Sequence, residues 1–290
     1  MSWFSDKETN MVFVSKLLAH RYPLFFFNLL NCLRSKGINL RVLTGTRDIW
    51  VRDFMPLQID QNKFVQFSYR PKYLLLNRKY RRTITDPNIV CRQLGINAIG
   101  ASIVLDGGNI IRENEIAICT DRIFIDNPLS DRKNLFREMC SLLELERFIV
   151  LPQDPFDPFG HIDGMVRFYN KKTVLINDYS KEDSYFSDIL RRTLSKAGLE
   201  SVPIPYNSFR NVKLLSAKGN YINFLRVKDA IITPVFGTSY DDYAIKAFEK
   251  LFGLDLIVPI NSRAIADDGG VINCVTWNIE GNAIFEETRG

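Results

Sequence analysis

Residues 148–176 read FIVLPQDPFDPFGHIDGMVRFYNKKTVLI, and this stretch contains one complete unit of a repeating pattern. It opens with an apolar strand at 148–151 and continues through a polar motif at 161–164. Two further apolar runs then follow, separated by a polar turn at 170–172. Apolar runs on both sides of a short polar turn are typical of a β-hairpin. The stretch therefore predicts the order strand, polar motif, hairpin.

The same order recurs along the chain, at a period near 50 residues that is typical of repeat architectures. Helical patterns, with apolar residues three and four positions apart, lie between units at 131–143, 181–197 and 240–252. The predicted strands lie at 40–43, 103–105, 148–151, 202–204 and 256–259, and the motifs are Arg52-Asp53, DGGN at 106–109, HIDG at 161–164, NYIN at 220–223 and GGVINC at 269–274.

This repetition predicts the fold class α/β and a five-bladed, pseudo-symmetric propeller in which the five motifs meet at one place. We expect residues 1–290 to form a single domain of about five repeats. The fifth unit lacks an obvious second hairpin strand, and we expect residues 10–14 to supply it and close the ring. An ordinary open α/β sheet is the alternative that periodicity alone leaves open.

The composition is that of a globular protein, with 46% hydrophobic residues in a chain of 290. The net charge of +5 is mild and does not by itself indicate nucleic-acid binding. The apolar stretch at 22–33 is too short to span a bilayer and predicts a buried helix that begins at Pro23.

Five cysteines occur, an odd number without a CxxC spacing, which argues against a zinc site and a disulfide framework. The polar opening MSWFSDKE lacks the basic and apolar regions of a secretory signal. A reducing compartment fits these features, and we expect a cytoplasmic location.

The five motifs carry a thiol, Cys274, a histidine, His161, and three carboxylates, Asp53, Asp106 and Asp163. Each has a structural explanation as well. Cys274 lies between apolar residues in a predicted strand, where a cysteine usually serves as a small buried hydrophobe. A histidine two residues before an aspartate in a loop often belongs to a hydrogen-bonded turn. The second histidine, His20, is predicted on a helix surface, so a catalytic histidine would have to be His161.

Five blocks of sequence carry a family resemblance: RDIWVRDFMP at 47–56, LDGGN at 105–109, GHIDG at 160–164, NYINF at 220–224 with PVFG at 234–237, and GGVINCVT at 269–276. In this order they resemble the agmatine deiminase and bacterial-type peptidylarginine deiminase family. That family belongs to the pentein superfamily, whose enzymes modify guanidino groups. The resemblance implies the five-bladed α/β propeller of penteins and a hydrolase that converts a guanidino group to a ureido group with release of ammonia.

The resemblance assigns catalytic roles to Cys274, His161, Asp163 and Asp53. Cys274 would attack the guanidine carbon, a role suited to a thiolate. Asp53 and Asp163 would hold the guanidinium nitrogens by charge-assisted hydrogen bonds. His161 would protonate the departing ammonia and then activate the water that hydrolyses a covalent thiouronium adduct.

Substrate-binding residues are also implied, and neither a metal nor an organic cofactor is expected. Asp106 would orient His161 or touch the substrate, and Trp50 would line the pocket against the substrate stem. We further predict that Asn109 and Asn223 contact the substrate. One residue departs from the family pattern, because Asn273 stands where the family commonly has a histidine directly before the cysteine.

The substrate stays open between agmatine, arginine and an arginine-containing peptide. A free amino acid would need a partner for its carboxylate, for which Arg52, Arg112 and Arg167 are candidates. Two other functions remain: an amidinotransferase, and a non-catalytic pentein that acts as a binding protein. The basic, tyrosine-rich segment at 69–82 is interpreted as a solvated loop or a lid over the pocket rather than a nucleic-acid site. A homodimer is a possibility that rests on base rates alone.

Overall fold

The computed structural model describes residues 5–208 and 215–281. Its strands are short, three to six residues each. In chain order they are β1 Met11–Ser15, β2 Asn39–Leu43, β3 Leu57–Asp60, β4 Lys63–Ser68, β5 Ile99–Val104, β6 Ile111–Glu113, β7 Ile116–Thr120, β8 Arg147–Leu151, β9 Val166–Phe168, β10 Thr173–Asn177, β11 Glu200–Ile204, β12 Leu225–Val227, β13 Ala230–Val235, β14 Ile257–Asn261 and β15 Trp277–Ile279.

Most of the helices lie in the crossovers between parallel strands. They are α1 Lys16–Arg21, α2 Pro23–Ser35, α3 Val51–Phe54, α4 Lys72–Leu75, α5 Arg78–Arg81, α6 Pro87–Gln93, α7 Arg122–Asp126, α8 Arg132–Leu142, α9 Ser184–Lys196, α10 Tyr240–Phe252 and α11 Arg263–Ala266. Within the described ranges, none of them combines the length and apolar composition that a membrane span requires.

Over the described residues, the strands form five sheets of three strands, and all five have the same strand order and directions. In four of them, a hairpin supplies two antiparallel strands, and a helical crossover then returns the chain to a third strand, parallel to the second. Parallel neighbours need such a crossover, because a short turn cannot reverse the chain twice. Each polar motif predicted from sequence lies in the connection that leaves a third strand and enters the next hairpin. The five connections therefore begin at the equivalent place in each sheet, the carboxyl end of its third strand.

The first sheet is assembled from both ends of the chain. Strand β1 is its middle strand, pairing antiparallel with β15 and parallel with β2. Met11 lies opposite Ile279, and Phe13 lies opposite Trp277. The prediction that residues 10–14 complete the fifth unit and close the ring is therefore confirmed.

The middle strands form the buried part of each sheet. Every residue of β1 and β7 is buried, and both read as nearly continuous apolar runs, MVFVS and IAICT. Strands covered on both faces have this pattern. The third strands β2 and β11 are partly exposed. Helices pack their apolar faces onto the sheets, as Leu29 and Leu33 of α2 do beside β1.

Several sequence predictions are refined by the structure. The helix at 240–252 is found as predicted, and Gly198 follows α9 with φ of +71°, as a glycine that ends a helix does. Helix α2 begins at Pro23, but only one face is buried, and Leu24 on the other face is 72% exposed. Cys274 was predicted in a strand; this prediction is wrong, because residues 272–275 form a turn.

Candidate active site

A cavity of about 450 Å³ lies where three of the five connections meet, those after β8, β11 and β14. His161 and Asp163 reach it from the first connection, Asn223 from the second and Cys274 from the third. Asn223 lies 60 positions after Asp163 in the chain, and Cys274 lies 51 positions after Asn223. The repeated topology is what brings them together.

Cys274 is held at the cavity wall by Asn223. The Asn223 Oδ1 accepts hydrogen bonds from the Cys274 backbone N–H at 3.3 Å and from its Sγ at 3.4 Å. The Asp163 Oδ2 lies 3.8 Å from the same sulfur. Burial raises the pKa of the Cys274 thiol well above its ordinary value, and the nearby carboxylates of Asp163 and Asp53 raise it further. Without a ligand, the sulfur is therefore a protonated thiol.

Glycine permits the tight path of the chain before Cys274. A Cβ on Gly270 would lie 2.5 Å from Cζ3 of Trp50 and 3.1 Å from the Cβ of Cys274. The Trp50 ring therefore packs directly on the backbone of this turn. Trp50 lies behind the turn, and the cavity wall itself is formed by other residues.

Asp163 is the carboxylate nearest the sulfur, and it is almost fully buried. Its Oδ2 accepts a 2.7 Å hydrogen bond from the side-chain amide of Asn273, the residue directly before Cys274. This bond fastens the carboxylate from the connection after β8 to the turn that carries the thiol. The position at which the sequence departs from the family pattern is thus occupied by a residue with a defined partner.

His161 lies between two carboxylates. Its Nδ1 is 3.6 Å from Asp53 Oδ1, and its Nε2 is 3.3 Å from Asp106 Oδ2. Burial alone would lower the pKa of His161, but the charges of Asp53 and Asp106 outweigh burial and raise that pKa to about 10. The imidazole is therefore protonated at neutral pH and can act first as an acid.

Asp53 reaches His161 across a gap that only a glycine leaves open. The Gly108 N–H donates to Asp53 Oδ1 at 3.1 Å. A Cβ on Gly108 would lie 2.6 Å from that oxygen and 2.7 Å from the Nδ1 of His161. Burial raises the pKa of Asp53, and the neighbouring carboxylates of Asp106 and Asp163 add to the effect, while His161 opposes it.

Sequence reasoning missed three residues that contact this site. The Tyr73 hydroxyl donates to Asp106 Oδ2 at 3.3 Å, and its ring lies 5.0 Å from that of Phe159. The Asp157 Oδ2 accepts the backbone N–H of His161 at 3.2 Å. Tyr73 belongs to the segment at 69–82, whose interleaved tyrosines were the available signal. That segment forms two short helices, α4 and α5, and Tyr73 of α4 reaches the site while residues 76–82 are exposed.

Of the other residues predicted to contact the substrate, not all line the cavity. Asn223 lines the cavity, and Asp106 acts through His161. Asn109 is buried, and its Oδ1 accepts hydrogen bonds from the backbone N–H and the hydroxyl of Thr120 at 3.0 and 2.9 Å. This oxygen therefore holds the connection after β5 to strand β7, outside the cavity wall.

The charged residues on the described part of the cavity wall are mostly acidic. Among the described residues, four with carboxylates line it: Asp154, Asp157, Asp163 and Glu182. Lys218 also lines it, but its Nζ is paired with Asp267 at 2.6 Å. The three arginines considered as partners for a substrate carboxylate line a second, smaller cavity of about 70 Å³: Arg52, Arg112 and Arg167. The described wall around Cys274 therefore suits a cation.

Over residues 5–208 and 215–281, no group of three or more His, Cys, Asp or Glu side chains is arranged to hold a metal ion.

Comparison with known proteins finds agmatine deiminases both by sequence and by structure. An agmatine deiminase of Pseudomonas syringae is 28% identical over 208 residues, a region that covers 61% of this chain and 55% of that relative. The chain thus matches little more than half the length of this curated relative. C. jejuni agmatine deiminase superposes with a TM-score of 0.75 at 18% identity, covering 95% of both chains. A cysteine-to-serine variant of that enzyme with substrate bound gives 0.72 at 17% identity, again over 95% of both chains.

The structural likenesses confirm the predicted fold, a pseudo-symmetric α/β propeller of five three-stranded sheets. The sequence model of one family extends over nearly the whole propeller, from Met11 at the start of β1 to Ile279 at the end of β15. On this match the chain belongs to the Porphyromonas-type peptidyl-arginine deiminase family.

Proposed function

We propose that the chain is a hydrolase that removes ammonia from the guanidino group of a cationic substrate and leaves a ureido group. One observation carries the proposal. Cys274, Asp163 and His161 line a single cavity, and the two ring nitrogens of His161 face Asp53 and Asp106. A nucleophile, an anionic binding group and a general acid thus share one site.

Substrate binding begins with the acidic wall. A guanidinium ion is planar and rich in N–H donors, so a buried carboxylate can bind it by charge-assisted hydrogen bonds. Asp163 provides that carboxylate beside the sulfur, and Asp53 adds a second negative charge behind His161. The bound cation also offsets the negative field that keeps the Cys274 thiol protonated. Binding therefore lowers the pKa of that thiol, and its proton leaves to solvent.

Two half-reactions follow. The thiolate attacks the guanidine carbon and forms a C–S bond, His161 protonates one nitrogen, and the C–N bond breaks to release ammonia. The product of this half-reaction is a thiouronium adduct on Cys274. Neutral His161 then takes a proton from water as the water oxygen bonds to the same carbon. The C–S bond breaks, the ureido product leaves, and the thiol and the imidazolium are restored.

The far end of the substrate faces further carboxylates. Asp154, Asp157 and Glu182 lie on the described wall, while the arginines that could pair with a carboxylate lie at the smaller cavity. This charge distribution favours a substrate with a second cationic group over a free amino acid. The relatives named agmatine deiminase fit the same conclusion. Agmatine is therefore the first substrate that we propose.

The test is ammonia release from agmatine, free arginine and arginine-containing peptides, with wild type and Cys274→Ala. We expect Cys274-dependent release, fastest with agmatine. A folded wild-type protein that releases no ammonia from any of these compounds would contradict the deiminase and favour the binding protein. Transfer of the amidino group to an added amine would identify an amidinotransferase instead.

A further inference from the structure

We propose that Asn273 is a positioning residue, whose side-chain amide holds the Asp163 carboxylate in the orientation that guanidinium binding requires. This inference rests on the proposed deiminase function. It assigns a role to the residue at which the sequence departs from the family it resembles.

The contact is short and buried. Asn273 Nδ2 donates to Asp163 Oδ2 at 2.7 Å, and the two residues are 4% and 2% exposed. The Asn273 main chain is itself fixed: its N–H donates to Asn223 O at 3.2 Å, and its carbonyl accepts from Arg52 Nε at 3.4 Å. A side chain on so constrained a backbone can determine the position of its partner.

The bond engages one oxygen of the carboxylate and leaves the other for a ligand. Asp163 Oδ2 accepts from Asn273 and faces the Cys274 sulfur at 3.8 Å. The plane of the carboxylate is thereby fixed, and Oδ1 is left to accept guanidinium N–H groups. Without this donor, the Asp163 carboxylate would be free to rotate, and a buried polar group would lose a hydrogen-bond partner.

An amide suits this role because it donates without carrying charge. Asn273 donates a hydrogen bond to Asp163 without neutralising its charge, so the attraction of the carboxylate for a guanidinium cation is retained. A histidine at the same position would also donate, but on protonation it would compete with the substrate for Asp163. Because Asn273 is not titratable, the residue that donates to Asp163 keeps the same charge at every pH, unlike a histidine.

Three variants test the proposal by steady-state kinetics on agmatine. Asn273→Leu keeps the size but removes the donor, and kcat/KM should fall roughly 10- to 100-fold, mainly through a higher KM, as loss of a hydrogen bond to a buried charge predicts. Asn273→Asp should lose more at neutral pH and recover relative to wild type as the pH falls, because a protonated carboxyl group donates again. Asn273→His should keep most of the activity but add a pH dependence to KM.

Asn127→Leu is the control, because the half-buried side chain of Asn127 also makes several hydrogen bonds, to Val104 and Ile123, outside the cavity wall. This control should lose stability but keep KM. If the Leu and Asp variants fold and their KM values equal that of wild type, the positioning role is overturned.

A second readout needs no substrate and separates this inference from the proposed function. Once the Asn273 amide is removed, the Cys274 thiol is the one remaining donor to Asp163 Oδ2 among the described residues, so the thiol form of Cys274 gains stability. The midpoint of iodoacetamide alkylation against pH should therefore lie higher in Asn273→Leu than in wild type. Absence of ammonia release by wild type would count against the proposed function, whereas an unchanged alkylation midpoint would count against the role of Asn273.

Discussion

Cys274 lies near carboxylates whose negative charge disfavours its reactive thiolate form until a cationic substrate binds. Asp163 and Asp53 both disfavour the thiolate, and burial adds to their effect. The same carboxylates favour the imidazolium of His161. Without substrate, His161 therefore carries the proton that departing ammonia needs, while Cys274 remains a thiol and not the nucleophilic thiolate. A guanidinium ion supplies the missing positive charge, so nucleophile activation is coupled to the presence of the correct cation.

A pH profile follows from these two pKa shifts. Because the pKa of the Cys274 thiol is raised well above its ordinary value, kcat/KM should rise from neutral into alkaline pH. Because His161 must be protonated to act as the acid, kcat/KM should fall once the pH passes the His161 pKa of about 10. Initial rates of ammonia release across this range measure both limbs. A profile that already declines near pH ~7, as an ordinary histidine with a pKa of about 6.5 would give, contradicts this assignment.

Asp163→Asn tests whether the negative charge of Asp163 contributes to substrate binding. The amide keeps the size of the side chain but removes the charge that attracts guanidinium. We expect kcat/KM to fall by roughly 10- to 150-fold, with a higher KM, from the loss of a charge-assisted hydrogen bond of about 1.5–3 kcal/mol. Asp126→Asn is the control, since Asp126 pairs with Arg122 away from the cavity. Equal losses in the two variants would show that the effect is structural.

At the scale of the element, the tight turn after β5 is what lets Asp53 and His161 meet. The 3₁₀ turn Gly107–Asn109 lies against both side chains, and at Gly108 there is no space for a methyl group. The missing side chain at Gly108 is therefore what allows the titratable side chains of Asp53 and His161 to lie close together.

Gly108→Ala should accordingly separate Asp53 from His161. We expect a stability loss of roughly 1–3 kcal/mol from overpacking and a large loss of kcat. Gly100→Ala in β5 is the matched control, because a Cβ there meets nothing within 4 Å. Urea denaturation and steady-state rates measure the two effects. If Gly108→Ala behaved like Gly100→Ala, the glycine would have no role in holding the pair together.

The hairpins and helices could be predicted because their signals are local. Asn114, between β6 and β7, and Lys228, between β12 and β13, adopt positive φ in hairpin turns, and the polar residues of such turns are visible in the sequence. The turn at Cys274 could not be predicted in the same way. Val271, Ile272 and Val275 are all fully buried, and a buried turn has the same apolar pattern as a buried strand.

Contacts within the site were harder to predict because they join distant connections. Asn273 bonds to a carboxylate 110 positions away, and Tyr73 reaches Asp106 from a segment that reads as a solvated basic loop. No local pattern encodes either contact. The family resemblance identified the thiol, the histidine and the carboxylates, but not the side chains that hold them in place.

At the scale of the whole molecule, the two ends of the chain complete one sheet. Strand β1 lies between β15 and β2, so one sheet joins the last described strand to the first two strands. Residues 1–290 are, in our proposal, one catalytic domain whose ring must close before the motifs can meet. The period near 50 residues made this architecture predictable, because each unit repeats the same strands.

Phe13→Ala tests the closure. Phe13 is fully buried in β1, and its ring lies 5.0 Å from that of Trp277 in β15. Truncation should lower the free energy of unfolding by about 3–5 kcal/mol, as is usual for a buried phenylalanine. Leu24→Ala, at a position that is 72% exposed, should change it by less than ~0.5 kcal/mol. Urea denaturation measures both, and a small effect at Phe13 would mean that closure contributes little to stability.

Mass spectrometry of the protein quenched during turnover of agmatine tests whether Cys274 forms a covalent adduct with a guanidino substrate. We expect a mass increase equal to one agmatine less one ammonia, located by peptide mapping on Cys274. The increase should be absent from Cys274→Ala and retained in Cys140→Ala. Turnover of agmatine without any adduct on Cys274, or undiminished ammonia release by folded Cys274→Ala, would contradict this role of Cys274.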